Sequence, residues 1–243
     1  MLLLAFGLFA LLDVRMLLGV SVWVKPMKFA ISICLYTWTM AWFLAYLRDN
    51  RLKNAAAWLI VITMIVETLC IAGQAARGVK SHFNIATPFD DIVFGIMGFA
   101  ISMNTIAVGM VVYLFFRKSF APTFQDSLQS QPAYTLAIRF GLFIFIIASV
   151  EGFLMAARLK HSVGGADGSI GLPFVNWSRS IGDLRVAHFF GLHALQVLPL
   201  FAFLVVRRFS QKESMIAVIV ASCLYVGLCV TALLQALAGK PFV

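Results

Sequence analysis

Two carboxylates interrupt otherwise apolar stretches of this chain: Glu67 within 54–76 and Glu151 within 134–157. A third apolar stretch, 186–206, carries His188 and His193. Ionisable groups in such surroundings are costly, and they persist where they pair, relay protons or hold a ligand. Two kinds of chemistry fit these residue types. Glu67, Glu151 and His193 are the candidate catalytic residues, Glu and His being the types that relay protons within membranes. His188, His193, Glu67 and Glu151 are candidates to hold a metal, zinc or iron, with one coordination position left open. The chain has no HExxH or HxxxH motif, so such ligands have to meet through space.

Spacing gives each candidate a direction. Thr63, Glu67, Cys70 and Gln74 are four, three and four apart, one stripe of a helix. That stripe is expected to face protein, because lipid leaves a carboxylate and an amide unsatisfied. Glu151 and Arg158 share a face but stand about 10 Å apart along the axis, too far for a local pair. His188 and His193 are turned about 140° from each other, so they do not chelate one metal unaided. His193 and Gln196 share a face. Arg77, His82, Arg158, His161 and Arg185, with Gln74 and Gln196, form a candidate binding set for an anionic or lipid-like ligand. For Glu67 and for each histidine the plainer reading is a structural hydrogen bond to a neighbouring helix.

The elements that carry these groups are apolar helices. Of the 243 residues 62% are hydrophobic and only 12% charged, against about 25% charged in soluble domains. Residues 29–47, 92–116, 186–206 and 214–239 carry no Asp, Glu, Lys or Arg, and a hydrocarbon core needs about 20 helical residues. Segments 54–76 and 134–157 reach that length if they include Glu67, and Arg139 and Glu151. Continuous apolar runs without two-residue alternation exclude a membrane β-barrel. The expected fold is all-α: a polytopic integral membrane bundle of about seven transmembrane helices, a single domain over 1–243. The first 24 residues make either a seventh helix or two short ones. MLLLAFGLFALL has no positive region before its apolar run and reads as mature chain rather than a signal peptide.

A net charge of +9 invites a nucleic-acid reading, but no aromatic-basic groove pattern accompanies it, and none is expected. The basic residues sit singly or in pairs at helix ends, as membrane anchors do. Cysteines 34, 70, 223 and 229 lie in apolar segments and read as packing residues. Call the side with loops 48–53, 117–133 and 207–213 face B, and the side with 77–91, 158–185 and the C-terminus face A. Basic residues divide nearly evenly between them, so the positive-inside rule decides little; tight anchor-like loops favour face B as cytoplasmic. Arg139 is expected to snorkel to face B. Lys25 and Lys28, around Pro26, are expected at the face A headgroups, and Ser32 and Tyr36 deeper along the same helix.

All four histidines map to face A, as do both helix-embedded glutamates, and this segregation predicts a polar cavity opening there. The leading function is a metal-assisted membrane enzyme, a hydrolase or oxidoreductase, acting on a lipid or other membrane-soluble anion. The alternatives are a proton-coupled transporter, a haem-binding membrane cytochrome with propionates on the arginines, and a structural or assembly protein. Membrane lipids are the expected partners, and a bacterial plasma membrane (the cell inner membrane) the expected host. GGADGSIG at 164–171 reads as a lid or linker. The strings AARGVKSH (75–82) and AARLKHS (156–162) suggest either an old parallel duplication or chance likeness at basic helix ends.

Overall fold

The structure is a computed structural model that describes residues 2–125, 127, 131–168 and 171–242. Its long elements follow the apolar runs. Six helices are long and apolar enough to cross a membrane: α2 (Val24–Ala45), α3 (Arg51–Ala76), α4 (Pro88–Phe116), α6 (Pro132–Ala157), α7 (Arg185–Val206) and α8 (Gln211–Leu237). A helical membrane bundle is therefore the fold. Local chemistry sets the helix starts. Asn50 caps α3 by accepting from the Lys53 amide, Thr87 caps α4 ahead of Pro88, and Ser210 with Glu213 closes a reciprocal capping box on α8. Large apolar side chains such as Trp38, Trp58, Leu69, Phe99 and Leu224 point outward, where lipid is the natural solvent.

The N-terminal stretch does not add a seventh crossing. Helix α1 (Leu2–Leu12) has 11 residues, about 16 Å, half the hydrocarbon thickness. A two-residue ladder follows, β1 (Met16–Leu17) against β2 (Val20–Ser21). Asp13 and Arg15 break the apolar run between them. The Arg15 guanidinium and the Trp23 indole N–H both donate to the Asp13 carboxylate, holding it well below the usual carboxylate range. Arg15 Nη1 also donates to the Ala76 carbonyl at the end of α3, 3.0 Å away, so this corner lies at face A. Phe6 packs with Trp23 and Ala75 in a small satellite core. Between α6 and α7 a second ladder, β3 (Ser162–Val163) with β4 (Gly182–Asp183), also lies at face A. A four-residue helix, α5 (Pro122–Gln125), sits at face B.

Consecutive long helices pack as antiparallel neighbours, and α2, α3, α4, α6 and α7 close into a ring. The α2–α7 junction is the lightest contact in that ring; α8 packs outside against α6 and α7. The α6–α7 seam is the tightest, and glycine explains it. A Cβ on Gly141 would lie 2.9 Å from the Ala194 carbonyl, and one on Gly191 2.4 Å from the Ala148 Cβ. Small residues at such crossings let helices approach closely.

The ring's interior divides in two. The main hydrophobic core comprises Met40 and Phe43 of α2, Leu47 just after it, Ile60 of α3, Val111 and Phe115 of α4, Ile138 and Leu142 of α6, Leu198 and Val206 of α7, and their neighbours. Every one lies in the face B half or middle of the bundle. The face A half holds only small satellite clusters, and its interior is polar.

Candidate functional site

Helix rise brings the polar candidates to one level. Counted from the face B ends of their helices, Glu67 stands at about 24 Å, His188 at about 27 Å, Glu151 at about 28 Å and Lys25 at about 30 Å. The level below them is closed by Tyr36, whose hydroxyl donates to Asn104 Oδ1 at 2.9 Å and whose ring stacks on Phe145 at 5.4 Å. The Thr63 hydroxyl points to the same Asn104 oxygen at 3.4 Å. The inward stripe on α3 is as expected: Thr63, Glu67 and Gln74 are all buried.

His188 and Glu151 form a dyad across the α6–α7 seam. His188 Nδ1 lies 2.8 Å from the Ala148 carbonyl and 3.1 Å from Glu151 Oε2. A carbonyl oxygen only accepts, so Nδ1 carries the hydrogen. In the neutral ring Nε2 then holds the lone pair. Gly152 makes room for this ring: a Cβ there would fall 2.8 Å from His188 Cε1.

Three further groups extend from the dyad in a chain, from His188 to His82, Lys25 and Glu67, each within electrostatic reach of the next. His82, in the α3–α4 loop, stacks near Phe29 at 5.4 Å and turns Nδ1 to the Ser81 hydroxyl. Burial pushes the His82 ring well below the ordinary histidine range, and the charges of Lys25 and His188 add to that. Lys25 lies over the Phe29 ring and is within electrostatic reach of Glu67. Among the described residues the Glu67 carboxylate, Lys25 Nζ, His82 Nε2 and His188 Nε2 make no hydrogen bond or ion pair. Among the described residues the fully occluded side-chain polar atoms without a partner are Arg139 Nε, Glu151 Oε1, Gln196 Oε1 and Ser222 Oγ. The four free groups are not among these, so none of them is fully sealed off. Ser32, between Lys28 and Tyr36 along α2, is exposed.

Several expected binding residues are instead bound up in the walls. Arg77 Nη1 meets Asp90 at 2.6 Å and also donates to Gln74, whose amide donates to Asp90 at 2.8 Å. This cluster ties α3 to the start of α4. Arg185 pairs with Asp183 at 2.6 Å, and His161 lies 3.5 Å from both Asp183 and Asp167. Burial alone raises the Asp183 carboxyl, but hydrogen bonds from His161 and Arg185 outweigh it and hold the group well below the usual carboxylate range. Arg185 also donates to the Asn176 carbonyl, and Lys28 Nζ to the Val175 carbonyl at 3.3 Å. These bonds strap loop 171–178 to the helices beside the site. Of the glycine-rich segment 164–171, Ser169 and Ile170 lie outside the described residues. The side chain of Arg158, half-buried at the end of α6, makes no bond among the described residues.

His193 leaves the group: its ring sits 4.3 Å from Phe189, turned away from His188 as the five-residue spacing dictates. Gln196 donates to Thr39 at 2.9 Å, joining α7 to α2. The four groups named for a metal are thus split into the Glu151–His188 dyad, Glu67 and His193. Among the described residues no three His, Cys, Asp or Glu side chains assemble to hold a metal ion. The closed α6–α7 seam leaves no slot for a haem between the helices that carry the dyad.

Lys25 is the residue that sequence reasoning read as a headgroup anchor and the structure turns inward. The signal was present: Lys25, Lys28, Ser32 and Tyr36 are three, four and four apart, so a Tyr36 facing protein brings both lysines to the same side. Compared with known proteins, the chain matches no family model, no curated protein and no solved structure.

Proposed function

We propose that this protein is a membrane-embedded enzyme of a bacterial plasma membrane, taking an anionic, membrane-soluble substrate at face A and working on it by general acid–base chemistry. The observation that carries this reading is the oriented imidazole of His188. Its Nδ1–H is fixed by Ala148 and Glu151, and its Nε2 is left without a partner among the described residues, with His82 in electrostatic reach and Lys25 and Glu67 beyond it. A carboxylate–histidine pair of this kind suits a base that removes a proton from a bound hydroxyl or water. Lys25 and Lys28, joined by Arg158, supply an excess of positive charge suited to a phosphate or carboxylate. Glu67 makes no hydrogen bond or ion pair among the described residues, which suits it to proton exchange with the substrate.

A metal-assisted version has less support, because of the four residues expected as ligands only Glu151 and His188 meet directly. A proton-coupled carrier needs a second opening through face B, and Phe43, Phe115, Ile138 and Leu142 fill that half. The test is turnover. Purified protein in vesicles of total bacterial lipid, with the soluble metabolite pool outside, is followed by mass spectrometry against His188→Gln and Glu67→Gln. One anionic species consumed by wild type and spared by both folded variants is expected. Identical profiles for all three would leave only the structural role.

A further inference from the structure

A second site lies at the opposite end of the bundle. A hollow of about 270 Å³ opens at face B between the end of α4, the first two turns of α6 and α8. Lys118, Thr135 and Arg139 supply its polar lining, and Pro132, Leu136 and Met215 its apolar lining. Arg139 does not snorkel freely. Its Nη2 donates to the Phe115 carbonyl at 2.8 Å, and its guanidinium lies over Phe116 at 5.1 Å. That leaves Nε fully occluded and without a partner among the described residues. The wall is rigid, because loop 117–121 is pinned to the α2–α3 turn: Arg48 donates to the Ser119 carbonyl at 2.8 Å and Ala121 to the Tyr46 carbonyl at 2.9 Å. Helix α6 begins here without a side-chain cap, so its positive end adds to the two cations.

We propose that this hollow binds one anionic phospholipid, its phosphate held by Arg139 and Lys118 and its acyl chain laid along Leu136 and Met215. Depth agrees. Arg139 stands about 10 Å from the start of α6, and α6, with 26 residues, overruns a 30 Å hydrocarbon core by several ångströms at each end. Trp42, exposed near the face B end of α2, lies at the same end of the bundle, as interfacial aromatics do. Basic recesses between transmembrane helices commonly select anionic headgroups. The site is independent of the face A chemistry and stands or falls apart from it.

The test uses the full chain in detergent, titrated with phosphatidylglycerol or phosphatidylcholine and read by native mass spectrometry. Wild type is expected to retain one phosphatidylglycerol in clear preference to phosphatidylcholine. Lys118→Gln and Arg139→Gln should each weaken that binding about fivefold, the effect of one interfacial cation. Met215→Glu, which sets a like charge at the rim without touching the Arg139 contacts, serves if Arg139→Gln fails to fold, and should abolish the preference. Equal retention of the two lipids by wild type, or an unchanged preference in Lys118→Gln and Met215→Glu, overturns the proposal. So does competitive displacement by millimolar inorganic phosphate, which would assign the hollow to a free anion.

Discussion

The two halves of the bundle use the same helices for opposite ends. Toward face B, α2, α3, α4, α6 and α7 fill their shared interior with Met40, Phe43, Phe115, Ile138, Leu142 and Leu198. Toward face A the same five helices and the α3–α4 loop carry Lys25, Glu67, His82, Glu151 and His188, each with a polar atom that has no hydrogen-bond partner among the described residues. A dry core cannot hold a lone carboxylate, and a polar chamber cannot hold five helices together. The division shows that the B half gives the ring its rigidity, so that the A half can leave hydrogen-bonding capacity unused. The walls of the A half are secured by separate ion-pair clusters, Arg77–Asp90 and Arg185–Asp183, which stand in for the missing core.

The strongest way to break this comparison is at the seam that serves both halves. Gly191→Leu should force α6 from α7 and cost about 3 kcal/mol, the upper range for overpacking. Thermal unfolding in detergent would register it, and the dyad should be lost at the same time. Phe43→Ala should cost about 2 kcal/mol. Lipid tails are as apolar as the core, so only the unfilled cavity counts, and turnover per folded molecule should be unchanged. Glu67→Gln sharpens the contrast: it removes no hydrogen bond, so its melting temperature should match wild type, while turnover disappears.

Gly152→Ala separates site from fold more finely. Its Cβ meets His188 Cε1 at 2.8 Å, so the ring must move off Ala148 and Glu151. Turnover should fall at least about tenfold, while alanine's better helix propensity offsets part of any loss of stability. The smallest effect expected is in pH. His82 is held below its unfolded value, so the folded state binds fewer protons, and stability should decline as pH falls from about 7 to about 5. His82→Gln should flatten that decline. Asp183, also depressed, acts later: its contribution is present above the unfolded carboxylate value of about 4 and is lost only as pH falls through its lower folded value. Melting curves across this range distinguish the two.

Much of this division was legible in the residues. Apolar runs, four uncharged and two carrying charged residues, marked all six crossings to within about five residues, and the Thr63–Glu67–Gln74 stripe gave the inward face of α3. The segregation of histidines and glutamates to one face marked the polar half. What spacing did not yield was pairing across helices. Nothing along the chain says that Arg77 meets Asp90, or that Arg185 and His161 share Asp183, because those contacts depend on loop geometry at face A. The same limit hid the role of Lys25. A lysine at a helix start is usually an interfacial anchor, and only the azimuth it shares with buried Tyr36 turns it inward. The half-length α1 was undecided because Asp13 and Arg15 come after too few apolar residues to separate a short helix from a frayed long one.

The central claim is that α6 fixes the His188 ring through Nδ1 and leaves Nε2 without a partner among the described residues. Solid-state ¹⁵N NMR of histidine-labelled protein in bilayers, with His188→Gln to assign the signal, reads this directly. The account predicts that the neutral ring of His188 carries its proton on Nδ1, bonded to Glu151, with a bare Nε2. A neutral ring protonated on Nε2, with Nδ1 bare, would break both bonds to α6 and contradict it.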